Sequence, residues 1–478
     1  MNTLGHLGGA LGCLGLAALI LARSRTWRIG GLLAWAAGCA SLALWLAPSG
    51  HHRLFAAAAV VGVLAAGGLA WIFVRVPWLL AVAVLACAPA RIPVTVGATQ
   101  ANLLLPMYLI VAAALLVLAW ELFGDDLRSR ELGALAYPLA LFIGWAGMTF
   151  LWSGDRREGA IYLLFFVLPF GLLAVCLARL RFSLRFVGAL GAQLGVMALA
   201  FAALGGWQYV TRTIYWNPKV KVDNAYTPVS WFYRVNSIFY DPSIYGRFLV
   251  VAIAVGLVAV LFGPRRAAWP ALLGVSAIWA GLVPSFSQSS FVALSAAIVV
   301  GLTVLWRRRA IVPLAVAAIA LVLVTLGVPQ ARHRLLGAGG LSHATSGRSG
   351  LVSNGLRLAL HHPVGGVGVG DFQHAYGQQE HLRGFRPKKA ASHDTPVTVA
   401  AEMGLPGLGL LAWLLVAGFG LPFRRNAGVT ATERVRLAFG LALVAIVVHS
   451  LFYNALFEDP LFWSLLALCA VAVREETL

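Results

Sequence analysis

The sequence predicts an all-α, polytopic integral membrane protein of about 14–15 transmembrane helices. Three observations predict it. The 478 residues are 60% hydrophobic and 11% charged, against the roughly 25% charged residues of a soluble domain. Apolar runs of about 20 residues, the length that crosses a hydrocarbon core, recur from end to end. The net charge of +19 is spread over short connections between those runs, which excludes a nucleic-acid-binding surface and fits the orienting role of arginine beside a bilayer.

In chain order the predicted spans are 4–22, 30–47, 54–74, 77–90, 102–122, 136–152, 160–178, 186–210, 244–262, 267–283, 291–306, 310–328, 397–421, 437–455 and 460–473. The first has no basic residues ahead of it and ends in Arg23-Ser24-Arg25, so it reads as a retained span rather than a cleaved signal. The fourth is short and bracketed by Pro77, Pro89 and Pro93, the pattern of a half-span or a bent helix. If the spans alternate, six basic connections fall on one side: Arg23/Arg25/Arg28, Arg128/Arg130, Arg179/Arg181/Arg185, Arg265/Arg266, Arg307/Arg308/Arg309 and Arg424/Arg425/Arg434/Arg436. That side is the cytoplasm. The chain then divides into N-terminal spans (1–210), a first outer loop (211–243), central spans (244–328), a long outer loop with short helices (329–396) and C-terminal spans (397–478). The five cysteines, Cys13, Cys39, Cys87, Cys176 and Cys469, all lie in apolar runs, which argues against a disulfide framework or a thiolate metal site.

All four lysines (Lys219, Lys221, Lys388, Lys389) fall in the two outer loops. Loops this long escape the orienting rule, so their charge is free to meet an anionic headgroup. Ionisable residues are scarce within the spans: Glu121 and Glu402 lie near span ends and His449 toward an outer end. A coupled transporter places such groups near the midplane.

The first outer loop is aromatic around Trp216, Trp231 and Tyr240, as an interfacial belt is. Arg234 among them fits either a snorkelling side chain or a rigid guanidinium fork on phosphate oxygens. Arg247, one turn into the next span, carries the same two readings. In the second loop, Arg348 precedes and Arg357 falls within a helical pattern of apolar positions Leu351, Leu356, Leu358 and Leu360, stopped by His361-His362-Pro363. Gly365, Gly366, Gly368 and Gly370 form a flexible turn and a tight re-entry toward the membrane, and no Gly-Lys-Ser/Thr follows to make it a nucleotide loop. Adjacent His361 and His362 do not share one tetrahedral ion, so neither a metal nor another cofactor is expected. His393-Asp394 precedes Pro396 at the start of a span. There His393 is either a capping, interfacial histidine or a general base.

The ordered set Arg234…Asp241-Pro242, Gly347-Arg348…Pro363-Val364-Gly365-Gly366-Val367-Gly368-Val369-Gly370-Asp371-Phe372 and Ser392-His393-Asp394…Glu402-Met403-Gly404-Leu405-Pro406-Gly407 resembles the O-antigen ligase and O-antigen polymerase superfamily of bacterial membrane glycosyltransferases. Leu151-Trp152-Ser153-Gly154-Asp155 resembles a further family loop. The resemblance implies a GT-C-like bundle and a metal-independent, inverting enzyme of the bacterial inner membrane with its active site on the extracytoplasmic face. The implied donor is an undecaprenyl-pyrophosphate-linked glycan and the acceptor a lipid A-core or a second lipid-linked glycan. The first acceptor makes it a ligase and the second a polymerase. By position Arg234 and Arg348 would hold the pyrophosphate and His393 would activate the acceptor hydroxyl, with Arg247, Arg357, Asp394 and Glu402 in support. Three departures stand out. Asp394 replaces a common Asn, Asp241-Pro242-Ser243 replaces Pro-Asn, and Ser285-Phe286-Ser287-Gln288-Ser289-Ser290, which resembles the family's Ser-x-Ser-Arg, lacks the arginine. Readings outside this class are a lipid-linked sugar transporter, for which the spans hold too few polar residues, and a scaffold without chemistry.

Overall fold

The computed structural model describes residues 2–47, 52–96, 99–124, 131–181, 183–213, 233–310, 312, 315, 348–381, 392–420, 422–423 and 430–474. The expected span 310–328 lies almost wholly outside them. So do Arg128, Arg130, Arg424, Arg425, the four lysines and the side chain of Arg348.

The protein is a helical bundle in which neighbours pack both parallel and antiparallel. Helices α1 (Asn2–Leu21) and α2 (Arg25–Leu46) form a hairpin on glycine. A Cβ on Gly38 would meet Gly12 at 2.4 Å and one on Gly15 would meet the Trp35 nitrogen at 2.4 Å, the close backbone approach by which helices pack within lipid. Helix α3 (His52–Arg75) is followed by α4 (Leu79–Cys87), whose nine residues rise only about 13 Å. The short fourth span is thus an interrupted one. Beyond it comes the one departure from an all-α reading among the described residues, an antiparallel hairpin of β1 (Ile92–Val96) and β2 (Thr99–Leu103), with Val96 paired to Thr99. Pro89 and Pro93 deny the helix its donors, and the β-branched Ile92, Val94, Thr95 and Val96 favour the extended form.

The bundle continues with α5 (Leu105–Phe123), α6 (Ala136–Thr149), α7 (Arg156–Tyr162), which runs through a π-turn (Leu163–Val167) into α8 (Leu168–Ala178), and α9 (Leu184–Thr211). Next come α10 (Pro242–Phe262), α11 (Arg265–Leu282) and α12 (Gln288–Trp306). The long loop contributes α13 (Arg348–His361) and α14 (Phe372–Gln379). Helices α15 (Thr395–Gly420), α16 (Ala431–His449) and α17 (Pro460–Arg474) complete the chain. Among the described residues nine helical stretches are long and apolar enough to cross a bilayer. The protein is therefore a polytopic membrane protein. Every residue of α8 is buried, so this helix is the core post and its neighbours carry the lipid-facing surface. The span expected at 437–455 is displaced: Thr430 and Glu433 form a capping box that starts the helix at Ala431, and it ends at His449. Residues 450–459 are instead a connection, with consequences for the site.

The basic connections gather at one end. Arg28 Nη2 lies 2.6 Å from Glu131 Oε1, Arg179 Nη1 bonds the same oxygen, and Arg179 Nε lies 2.6 Å from Glu121 Oε2. Arg28, Glu131 and Arg179 are buried. Two arginines and two glutamates cancel in charge, which lets the ends of α1–α2, α5–α6 and α8 lock together where unpaired charges would be expelled. A mainly apolar cavity of about 430 Å³ shows that Leu184, Gly263, Pro264 and Arg434 share this end.

Candidate functional site

At the opposite end the site is built on a break in α15. Gly404 has φ 68° and ψ −174°, and Pro406 follows. In a regular helix the carbonyls of Ala401, Glu402 and Met403 would receive the N–H groups of residues 405, 406 and 407. Proline has none and the kink removes the others. Three outside donors replace them: Val367 N to Ala401 O at 2.9 Å, Gly368 N to Glu402 O at 2.9 Å, and Trp145 Nε1 to Met403 O at 2.8 Å. The displaced Leu405 N–H donates to Pro363 O at 2.7 Å. The segment 363–370 therefore stands in for the missing helical turn, as irregular backbone at membrane depth requires.

This arrangement corrects the reading of the glycine run as flexible. Gly366, Gly368 and Gly370 all have positive φ, at 64°, 103° and 81°. A Cβ on Gly366 would meet the Glu402 carbonyl carbon at 2.2 Å, and one on Gly368 would meet Ser153 Cα at 2.4 Å. Glycine is here for close backbone contact as much as for dihedral freedom. The Glu402 carboxylate accepts from Phe372 N at 3.3 Å and from Gly370 N. It props the turn from below.

The loop at Leu151–Asp155 docks on the same turn. Trp152 Nε1 donates to Gly365 O at 3.3 Å and Asp155 N to Asp371 Oδ1 at 2.7 Å, while His374 Nδ1 lies 3.0 Å from that oxygen. Burial pushes the Asp371 carboxyl above its ordinary value, and the bonds from His374, Asp155 N and Gly154 N pull it back.

His393 stands one residue before the first turn of α15, half-buried, with φ 55°. Non-glycine residues adopt this left-handed region rarely, histidine more readily than most. Its neighbours hold it there. Asp394 N donates to Ser392 Oγ at 3.2 Å, Ser392 Oγ donates to Asp394 O at 2.9 Å, and Val397 N donates to Asp394 Oδ1 at 2.9 Å. Asp394 is thus the cap of α15, and burial raises its carboxyl above the usual range against the Val397 bond. Thr395 fastens the turn sideways: its N–H donates to Ser450 O at 3.1 Å and its hydroxyl to Asn454 Oδ1 at 3.0 Å.

Arg234 lies on the neighbouring elements. Its Nε donates to Ser285 O at 3.0 Å and an Nη to Ser243 Oγ at 3.4 Å. Val235 N donates to Pro284 O at 2.9 Å, so the end of the first loop is stitched to the connection between α11 and α12. Arg247 is buried in a pair with Asp459, Nε to Oδ2 at 3.0 Å, and also donates to Ala455 O at 3.3 Å. Those contacts make it a fastener of the 450–459 connection. Arg357 is exposed on α13. Arg348 begins that helix.

The elements bearing Arg234 and His393 thus share one end of the bundle and meet across the end of α16, while Arg247 is held in its buried pair with Asp459. Residues 273–412 match a family model described as O-antigen ligase. No curated protein matches the chain. The matched segment holds the Ser285–Ser290 stretch, Arg348, the glycine turn, His393 and Glu402. Arg234 precedes it and His449 follows it.

Sequence reasoning placed no weight on Asp371, Asn454 and Asp459, and none on His449 as a site residue. Asp459-Pro460 opens α17 just as Asp241-Pro242 opens α10, a repeated capping pattern that marks both as ends of spans facing the same way.

Proposed function

We propose that the protein is an O-antigen ligase-like glycosyltransferase. It moves a glycan from undecaprenyl pyrophosphate to a lipid A-core acceptor on the outer face of the cytoplasmic membrane, without a metal and with inversion. The observation that carries the reading is His393, held left-handed at the head of α15 inside the family-matched segment. Backbone strain maintained by surrounding hydrogen bonds is a mark of functional residues.

In this reading His393 takes the proton from the acceptor hydroxyl as that oxygen bonds to the anomeric carbon. The bond between that carbon and the phosphate oxygen breaks, and undecaprenyl pyrophosphate leaves with the electron pair. Charge grows on the phosphate oxygens, and Arg234 and Arg348 stabilise it with fixed donors. The basic excess of the second outer loop, eight Lys and Arg against three Asp and Glu over 329–396, supports the same reading.

Arg234→Ala is expected to lower transfer by about 10²–10³-fold, the usual cost of one such donor. Arg234→Lys should not restore it, because an ammonium cannot reproduce both the planar fork and the Ser285 bond. The acceptor is settled by incubating purified protein and lipid-linked donor with lipid A-core or with a second lipid-linked repeat unit, in the presence of chelator. Glycosylated lipid A-core is the expected product. Lengthening of the lipid-linked chain instead would make the protein a polymerase, loss of both products under chelator would remove the metal-free mechanism, and no product with either acceptor in unchelated buffer would end the proposal.

A further inference from the structure

His449 closes α16 beyond the family-matched segment, and it is fully buried. Its Nε2 lies 3.0 Å from Ser289 Oγ in the first turn of α12. Ser289 Oγ lies 3.1 Å from Ser287 Oγ, which also accepts from Ser290 Oγ at 2.8 Å. Ser287 N donates to Ser285 Oγ at 3.3 Å, and the Ser285 carbonyl is the anchor of Arg234 Nε. On the other flank, the residue after His449 offers its carbonyl to Thr395 N, two residues past His393. A run of short polar contacts therefore leads from Arg234 through the serines and His449 to the turn that carries His393.

We propose that His449 is a positioning residue that sets the spacing between the arginine arm and the histidine arm of the site. The inference rests on the assignment of Arg234 and His393 given above. It also accounts for a departure in this chain. The 285–290 segment lacks the arginine of the family's Ser-x-Ser-Arg, and here it is held by a serine cluster closed by an imidazole.

Magnitudes favour register over bulk stability as the purpose of the tie. An interhelical hydrogen bond within a membrane adds little to the stability of the bundle on average. A misplacement near 1 Å between reacting groups costs roughly 100-fold in rate. The polar contact at Ser289 thus matters more for where the two arms stand than for whether the bundle holds.

The test uses the full chain in lipid nanodiscs with lipid-linked donor and the acceptor that supports turnover. His449→Leu fills the volume without the hydrogen bond, His449→Gln keeps a polar group near Ser289, and Ser289→Ala removes the partner. The expected result is a kcat lowered by about 10- to 100-fold in His449→Leu with donor KM and melting temperature unchanged. Most of the loss should return in His449→Gln, Ser289→Ala should reproduce it, and the double variant should be no worse than the worse single one. Wild-type kcat in His449→Leu would overturn the proposal, as would a loss that follows melting temperature and is not rescued by Gln. His393→Ala, run alongside, separates the two levels. If it is inactive while His449→Leu and Ser289→Ala turn over normally, the positioning role alone falls. If His393→Ala turns over normally, the base assignment and the positioning role fall together.

Discussion

Replacing His393 by alanine is expected to lower glycan transfer by roughly 10²–10⁴-fold, the contribution of a general base, in protein that still inserts and accumulates. The position demands care in choosing the variant. His393 sits at φ 55°, a region that histidine adopts more readily than alanine, so alanine changes the chemistry and tests the backbone together. Asn tolerates this region and keeps a polar side chain without a base. His393→Asn should therefore fold as the parent does and still fail in transfer. His393→Gly removes both the strain and the imidazole, and added imidazole should restore part of its rate if proton removal is the missing function. The measurement is initial rate of glycosylated acceptor against detergent-soluble protein. An Asn variant with near-parental rate would show that the turn is kept for shape and that the base lies elsewhere.

Much of the bundle was legible because the bilayer imposes a length. Runs such as 186–210 and 244–262 coincide with α9 and α10 within about two residues, the usual uncertainty of a helix end. The connection at 450–459 was not legible, because Ser450 to Tyr453 continue the apolar composition of α16. What stops the helix is a set of partners from elsewhere, Thr395 on Ser450 and Arg247 on Asp459. The hairpin at 92–103 was also hidden. Most of its residues fall between the expected spans 77–90 and 102–122, and only the prolines and β-branched residues mark an extended segment there.

The site shows the same division. His393 and Glu402 could be singled out from order and spacing, but their tasks depend on neighbours far away in sequence. Glu402 is a prop under backbone amides of the glycine turn. Arg247, read as a second candidate for phosphate, is committed to Asp459. Single-sequence reasoning identifies charges worth watching. It does not tell a charge that faces substrate from one that holds a loop, since both need the same residue types near the same surface.

The largest structural effect is expected from Gly366→Ala. The new methyl would meet backbone on every side, with the Glu402 carbonyl carbon at 2.2 Å, its oxygen at 2.3 Å and Met403 N at 2.5 Å. Backbone cannot rotate aside as a side chain can. Left-handed φ adds about 1–2 kcal/mol and overpacking about 1–3 kcal/mol, so the loss should total roughly 2–5 kcal/mol. If the turn backs away to relieve the clash, Ala401 O and Glu402 O lose their donors at a break in a membrane helix, where an unpaired carbonyl costs several kcal/mol more. Gly377→Ala is the matched control. It lies in α14, where an added Cβ meets nothing within 4 Å, and alanine in a helix should gain up to about 1 kcal/mol. Thermal unfolding in detergent, followed by size-exclusion fluorescence, should show Gly366→Ala melting well below the parent and Gly377→Ala at or above it. Equal melting of the two variants would mean that the turn does not substitute for the missing helical hydrogen bonds of α15, and with that the rigid platform under His393 would be gone.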